Sequence, residues 1–289
     1  MTKDKRKVND YCAECLWSRQ KALTENQDYL SEIQMILDSR QENDSAPYLI
    51  YRFNKVYEQY FGKRPSYAEE KKIYNDLLLS MENIFRQKIA ASDNPLKTSF
   101  VYARIGNYID FGALRQVDKD DFLALFENPE LSQRDWPVYE SFLHACETGK
   151  EFLLIADNCG EIVLDKLFLE QLKKVYPQLT MTVMVRGGEV LNDVTAEDAA
   201  YVHIGSIARI ISNGNPVSGT VDALLSEEAR EAIKTADIIF AKGQGNYESL
   251  CGQGKHIFYS FLCKCALFTE LFHVPKLTGI FLEENADNH

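Results

Sequence analysis

The stretch Phe152-Leu153-Leu154-Ile155-Ala156-Asp157-Asn158-Cys159-Gly160-Glu161 decides the fold. Five consecutive apolar residues suit a strand buried on both faces, and a continuous rather than alternating run is the pattern of a parallel sheet. The run breaks into acid, amide and glycine. From Glu161 to about Val175, Val163, Leu164, Leu167, Phe168 and Leu172 then recur at the spacing of a helix with one apolar face. Strand, polar turn and amphipathic helix form the first half of a right-handed crossover unit.

Working downstream, apolar runs recur at Met181 to Val185, Ile207 to Ile211 and Asp237 to Ala241, with a weaker one at His256 to Phe261, separated by helix-length segments. The expected fold class is α/β, a Rossmann-like three-layer sandwich with a mainly parallel sheet. Upstream the period changes. Leu30, Ile33, Ile36 and Leu37, and then Tyr74, Leu77, Leu78, Met81, Ile84 and Phe85, lie three and four apart, which is helical spacing. Pro47, Gly62 and Pro65 divide Val8 to about Lys88 into three or four helices. The stretch from Ala91 to about Trp136, with Asp118, Lys119, Asp120 and Asp121, is expected to carry further helices and the crossing between lobes. The expected organisation is an all-helical N-terminal lobe over 1–140 and an α/β metal- and phosphate-binding domain over 141–289.

Composition narrows the function classes. The 289 residues are 45% apolar, enough for a full core, and 32 Lys+Arg against 43 Asp+Glu leave a net charge of −11. That balance disfavours binding to nucleic acid or an anionic membrane. There is no apolar run of about 18 residues, and Met1 to Asp10 is charged, so a cytoplasmic location is expected. Seven cysteines, an odd number spread through a long chain, are expected to be reduced thiols.

In an open parallel sheet, ligands bind beyond the carboxyl ends of the strands. The residues that follow the apolar runs are Asp157-Asn158, then Arg186-Gly187-Gly188 with Asn192-Asp193, then Ser212-Asn213-Gly214, then Lys242-Gly243-Gln244-Gly245-Asn246-Tyr247-Glu248. Carboxylate and carboxamide oxygens suit hard divalent cations, which makes Asp157, Asn158 and Asp193 the candidate metal-ligating and catalytic set. A cation with open positions takes a phosphate oxygen and a water. Lys242, Arg186 and the amides of Gly243 to Gly245 suit the phosphate's charge. Each group also has a structural reading: Asp157 or Asn158 as a helix cap, Asn192-Asp193 and Asn213-Gly214 as turns, and Glu161 with Asp165 as first-turn acids favoured by the helix dipole. No Walker-type loop, complete G-x-G-x-x-G, G-x-S-x-G or H-E-x-x-H is present.

These motifs, in this order and with Asp165, Thr195 and Asp198, resemble the damage-control phosphatases over about Phe152 to Lys264. Cys12-x-x-Cys15 and Lys264-Cys265 resemble the family's stand-alone prokaryotic branch. The resemblance implies a metal-dependent phosphatase active with Mn²⁺, Co²⁺, Ni²⁺ or Mg²⁺ on small phosphorylated metabolites, sugar phosphates or damaged phosphometabolites. It carries metal ligation to Asp157, Asn158 and Asp193, and substrate contact to Gln244, Gly245, Asn246, Tyr247, Glu248 and Lys264. Glu248 departs from the eukaryotic sugar-phosphate members, which have arginine there. The nucleophile, water or Asp157, stays open. Competing readings are a carboxyl methyltransferase using S-adenosylmethionine and a non-catalytic metal- or metabolite-binding protein. Cys12, Cys15, Cys263 and Cys265 are either separate thiols or a four-thiolate zinc site.

Overall fold

Strand β1 (Glu151–Ile155) lies at the middle of a six-stranded sheet because its residues are apolar on both faces and demand cover on both. The computed structural model describes residues 8–108, 124–127 and 130–285. The acidic group Asp118 to Asp121 and residues 1–7 lie outside them. The other strands are β2 (Thr180–Val185), β3 (Arg209–Ser212), β4 (Ile238–Lys242), β5 (Ile257–Leu262) and β6 (Gly279–Glu284). Their spatial order is β3-β2-β1-β4-β5-β6, parallel except for β6, which runs antiparallel to β5.

Eleven helices belong to the described residues: α1 (Asp10–Lys21), α2 (Gln27–Asp38), α3 (Ala46–Phe61), α4 (Ala68–Ala91), α5 (Pro95–Gly106), α6 (Trp136–Thr148), α7 (Glu161–Val175), α8 (Ala196–Tyr201), α9 (Glu227–Thr235), α10 (Gln244–Leu250) and α11 (Ala266–Phe272). Alternate strand residues build two cores. Phe152, Leu154, Val183, Phe240 and Phe258 face α4 to α7, whereas Leu153, Ile155, Met184, Ile239 and Tyr259 face α9 to α11. This is the three-layer α/β sandwich expected from the continuous apolar runs. Helices α1 to α3 enclose a smaller core around Tyr29, Ile33, Leu49 and Phe53.

The apolar cores do not divide at residue 140. Tyr74, Phe85, Phe100 and Phe142 share one core with the sheet, so α4 to α6 form a layer of the sandwich, and only α1 to α3 are separate from it. Strand β6 was not expected either. It follows helix α11 and runs antiparallel to β5, and its partly exposed mix of charged and apolar residues leaves no continuous apolar run to mark it. Among the described residues no helix is long and apolar enough to cross a membrane.

Candidate active site

The chain leaves β1 for β2 on one side and later places β4 on the other, so the carboxyl ends of β1 and β4 are where the order reverses. Asp157 and Asn158 follow β1 there. Neither caps the next helix, because the N-cap of α7 is Gly160 at φ +80° and makes no side-chain capping bond. The structural reading of the pair as a helix cap therefore fails; the two side chains bond each other, Asn107 and Glu161. Leu191, at φ +46°, turns the chain after β2 so that Asp193 lies opposite Asn158 in an isolated antiparallel bridge. Val194 N donates to Asp157 O at 2.9 Å and closes the same junction. Asn192-Asp193 is thus a turn that also brings Asp193 beside Asn158.

Asn107, at the end of α5, donates Nδ2 to Asp157 Oδ2 at 3.0 Å and to Glu161 Oε2 at 2.9 Å. Asn158 Nδ2 makes the same pair of bonds, at 2.7 and 3.0 Å. With both of its N–H groups used, Asn158 retains its carbonyl oxygen as a ligand donor. Arg186 donates Nε to Asp193 Oδ2 at 2.6 Å, and its Nη2 lies 3.8 Å from Asp157 Oδ1. Ser218 Oγ donates to Asp193 Oδ1 at 3.0 Å.

Burial pushes the Asp157 carboxyl up to about 7, and the charges of Asp193 and Glu161 push the same way. Asp193 is raised for the same reason, against the pull of Arg186. Four buried carboxyl groups, Asp157, Glu161, Asp165 and Asp193, face two buried cations, Arg186 and Lys242. A buried surplus of acid is what a bound cation relieves, and two carboxylates with one carboxamide oxygen make a donor set for a hard divalent ion. Among the described residues no three His, Cys, Asp or Glu side chains converge as a metal group, so the set reaches three only through the Asn158 amide.

Gly243 makes room for this arrangement. It sits at φ +83°, and a Cβ there would lie 2.1 Å from Asp157 Oδ2 and 2.4 Å from Oδ1. Gly243→Ala is therefore expected to push the Asp157 carboxylate out of place at the cost of backbone strain, abolishing divalent-ion binding. Titration of the variant with Mn²⁺ by calorimetry checks this; wild-type affinity would show that the carboxylate position is dispensable.

Several expected substrate residues are placed otherwise. Lys242 is wholly buried, its Nζ bonded to Glu161 Oε1 (2.5 Å), Asp165 Oδ1 (2.7 Å) and Ala103 O (2.9 Å), so its ammonium is committed within the protein and does not reach a phosphate. Gly106 allows this approach of α5, since a Cβ there would lie 3.1 Å from Glu161 Cγ. Arg186 is buried and spends Nη1 on Gly219 O and Asn246 Oδ1, which makes it a holder of Asp193. Asn246 is fully buried, with Nδ2 2.6 Å from Lys242 O. The Tyr247 ring packs among Tyr259, Phe261 and Phe268. Each is held inward by partners that the packed layers supply: two acids for Lys242, Asp193 and Gly219 O for Arg186, Lys242 O for Asn246 and an aromatic cluster for Tyr247. Asn213 likewise accepts from Gly187 N at 2.7 Å and Asn215 N at 3.0 Å, as a turn.

Gln244, Gly245, Glu248 and Lys264 do face a cavity of about 860 Å³ enclosed between α1, α3, the 62–67 loop and the sheet edge. That volume falls in the usual range for small-molecule sites. Ser218 lines the same cavity and touches Asp193, so it joins the cavity to the carboxylates. Gln244 Oε1 accepts from Lys264 N at 2.9 Å and Gln244 Nε2 donates to Glu248 at 2.5 Å, orienting both neighbours. Lys264 lowers the Asp157 and Asp193 carboxyls through its charge, which puts its ammonium within electrostatic reach of both.

Burial raises Glu248 to about 7, against the Gln244 bond and the charge of Arg19. The folded carboxyl therefore keeps its proton where an unfolded glutamate has lost it, and the stability it contributes declines as pH rises from about 4.5 to about 7. Chemical denaturation between about pH 5 and pH 8 is expected to show a smaller decline for Glu248→Gln than for the wild type. Parallel curves would contradict the assignment.

Asn107 and Ser218 carry no signal in the local sequence pattern. Asn107 stands 50 residues from Asp157 in the chain, and only its place at a helix end hinted at a role. The cysteines do not form a four-thiolate site. Cys263 is buried in the core beneath α11, whereas Cys12, Cys15 and Cys265 line the cavity as free thiols. Burial raises the Cys12 thiol to about 12, with the charges of Glu248, Cys265 and Cys15 adding to the shift.

The chain is 28% identical to a damage-control phosphatase of Archaeoglobus fulgidus over 274 residues, which cover 90% of this chain and 93% of that one. It is 26% identical to a damage-control phosphatase of Pyrococcus horikoshii over 75% of this chain and 74% of that one. It is 39% identical to an uncharacterised protein of Methanocaldococcus jannaschii, over 62% and 59% of the two chains. The crystal structure of a DUF89 family protein from Pyrococcus horikoshii superposes with a TM-score of 0.78 at 22% identity, covering 96% of this chain and 99% of that one, and so shares the fold. Residues 6–278 match the damage-control phosphatase ARMT1-like domain, and the chain belongs to that family.

Proposed function

We propose that this protein is a metal-dependent phosphomonoesterase acting on small phosphorylated metabolites. The observation that carries the reading is the crowding of Asp157 and Asp193 beside the Asn158 amide at the order-reversing edge of the sheet, next to a cavity of metabolite size. Named relatives that are phosphatases support it. Asp157, Asn158 and Asp193 would hold the cation, and a divalent ion supplies polarisation of the phosphoryl oxygens and a water of lowered pKa.

The chain's own groups do the rest. Arg186 fixes Asp193 through Nε, and Ser218 fixes its other oxygen, so the carboxylate has one orientation. Asn107 and Glu161 hold Asp157 and Asn158 from behind, in the way that outer partners orient ligands. Lys264 and the cavity-facing amides near Gly245 suit the charge that collects on phosphoryl oxygen. Helices α1 and α3 contribute to the wall of the cavity. The methyltransferase reading gains nothing from the fold, because β1 ends in Asp157-Asn158 rather than in a glycine-rich loop.

The test is phosphate release from p-nitrophenyl phosphate and a panel of sugar and cofactor phosphates by EDTA-stripped protein resupplied with Mn²⁺, Co²⁺, Ni²⁺ or Mg²⁺. Activity restored by metal and lost in Asp193→Ala supports the reading. Metal binding without any release above that variant overturns it in favour of a non-catalytic binding protein.

A further inference from the structure

The cavity differs in charge from the protein around it. Arg19, Lys63, Arg64 and Lys264 line it, in a chain of net charge −11. Lys55 lines it too, so five cations face three acids, Glu58, Glu189 and Glu248. Glu58 pairs with Lys55 at 3.8 Å, Glu248 is held by Gln244, and Glu189 accepts from Ser66 Oγ at 2.7 Å and Tyr67 N at 2.6 Å. Glu189 thereby ties the 62–67 loop to the segment that follows β2.

Arg64 is the member of this group set up for a ligand. Its guanidinium stacks on the Tyr57 ring at 4.3 Å from the centroid, which fixes its plane. Its Nε is buried with no hydrogen-bond acceptor, and among the described residues no hydrogen bond or ion pair engages the rest of its guanidinium. A planar fork of donors held by stacking is preorganised for carboxylate or phosphate oxygens. Lys264 and Ser218 belong to the sheet edge beside the carboxylates, whereas Arg64 belongs to the loop that joins α3 to α4.

We infer that Arg64, with Lys63 beside it, recognises a second anionic group of the substrate, a carboxylate or a second phosphate, separate from the phosphoryl group at the Asp157–Asp193 edge. This rests on the phosphatase reading. It makes Arg64 a specificity determinant: phosphomonoesters with a second negative charge are preferred over those with a neutral remainder.

The experiment compares wild type, Arg64→Met and Arg64→Lys in the metal-loaded state on p-nitrophenyl phosphate, 3-phosphoglycerate and fructose 1,6-bisphosphate. Methionine keeps an unbranched side chain over Tyr57, and lysine keeps the charge without the fork. Arg64→Met is expected to lose at least about tenfold in kcat/KM on one or both doubly anionic substrates, mostly in KM, with p-nitrophenyl phosphate unchanged. Lysine is expected to recover part of the loss, and the substrate that loses more identifies the anionic group. Calorimetric binding of methylenediphosphonate, weakened about tenfold in Arg64→Met, reads the same contact without turnover. Equal losses on all three substrates, or wild-type binding and kinetics in Arg64→Met, overturn the inference. A wild type that binds methylenediphosphonate through Arg64 but releases no phosphate overturns the phosphatase reading alone.

Discussion

Lys242→Met is expected to lose about 3–5 kcal/mol of folding stability, the cost of breaking a buried ion cluster by removing one partner. The ammonium is wholly buried and is held by Glu161, Asp165 and Ala103 O. Without it, Glu161 and Asp165 share the interior with no cation in contact. Burial beside Glu161 already raises the Asp165 carboxyl to about 7 despite Lys242. The loss is a large share of the roughly 5–15 kcal/mol that holds a typical domain together. A fall in melting temperature of about 6–20 °C follows for a chain of this size. A urea midpoint equal to wild type, with only KM raised, would return Lys242 to the role of phosphate contact. Adding Glu161→Gln to Lys242→Met is expected to recover part of the stability, since one unpaired charge is removed.

Asp157→Asn carries the second large effect, and stability and activity are expected to move apart. Phosphate release should fall by more than the roughly 100-fold that loss of an outer partner costs at a metal site, because a candidate ligand itself is neutralised. The metal-free protein should nevertheless melt higher at about pH 8 than the wild type, since a buried carboxylate crowded by Asp193 and Glu161 is replaced by a neutral isostere. The remaining side-chain oxygen can take the place of Oδ2 and accept from the Asn107 and Asn158 amides. Such a pattern marks a site where folding energy is given up for function. A variant that melts lower in EDTA and keeps its activity would show that Asp157 is a structural acid.

Much of the architecture was legible because burial on two faces leaves a mark that needs no partner to recognise. Phe152 to Ala156 is apolar throughout, and Glu161 to Val175 repeats at helical spacing, so β1 and α7 followed from local pattern alone. β6 left no such mark. Gly279–Glu284 mixes charge with apolar residues and pairs by a return against β5, which is one possibility among many for a short half-exposed strand. The division of the helices was likewise not legible. Helices α4 and α3 both carry an apolar face, yet one packs on α7 and α5 and the other on α2, and no periodicity names the partner.

The candidate site divides along the same line. By itself the amino-acid sequence determined that Asp157, Asn158, Asp193 and the 242–248 segment follow buried strands, because a continuous apolar run has two ends and the chain direction says which one carries the ligand. Only the tertiary structure decided which of those polar groups face the cavity and which face each other. Lys242 turned inward because Ala103 on α5 and Glu161 and Asp165 on α7 close over it, and Tyr247 turned inward because Phe261 and Phe268 receive its ring. Asn107 and Ser218 reach the site from distant segments. A buried charge takes whatever partner the packing brings, and packing is a property of the whole chain rather than of its neighbours in sequence.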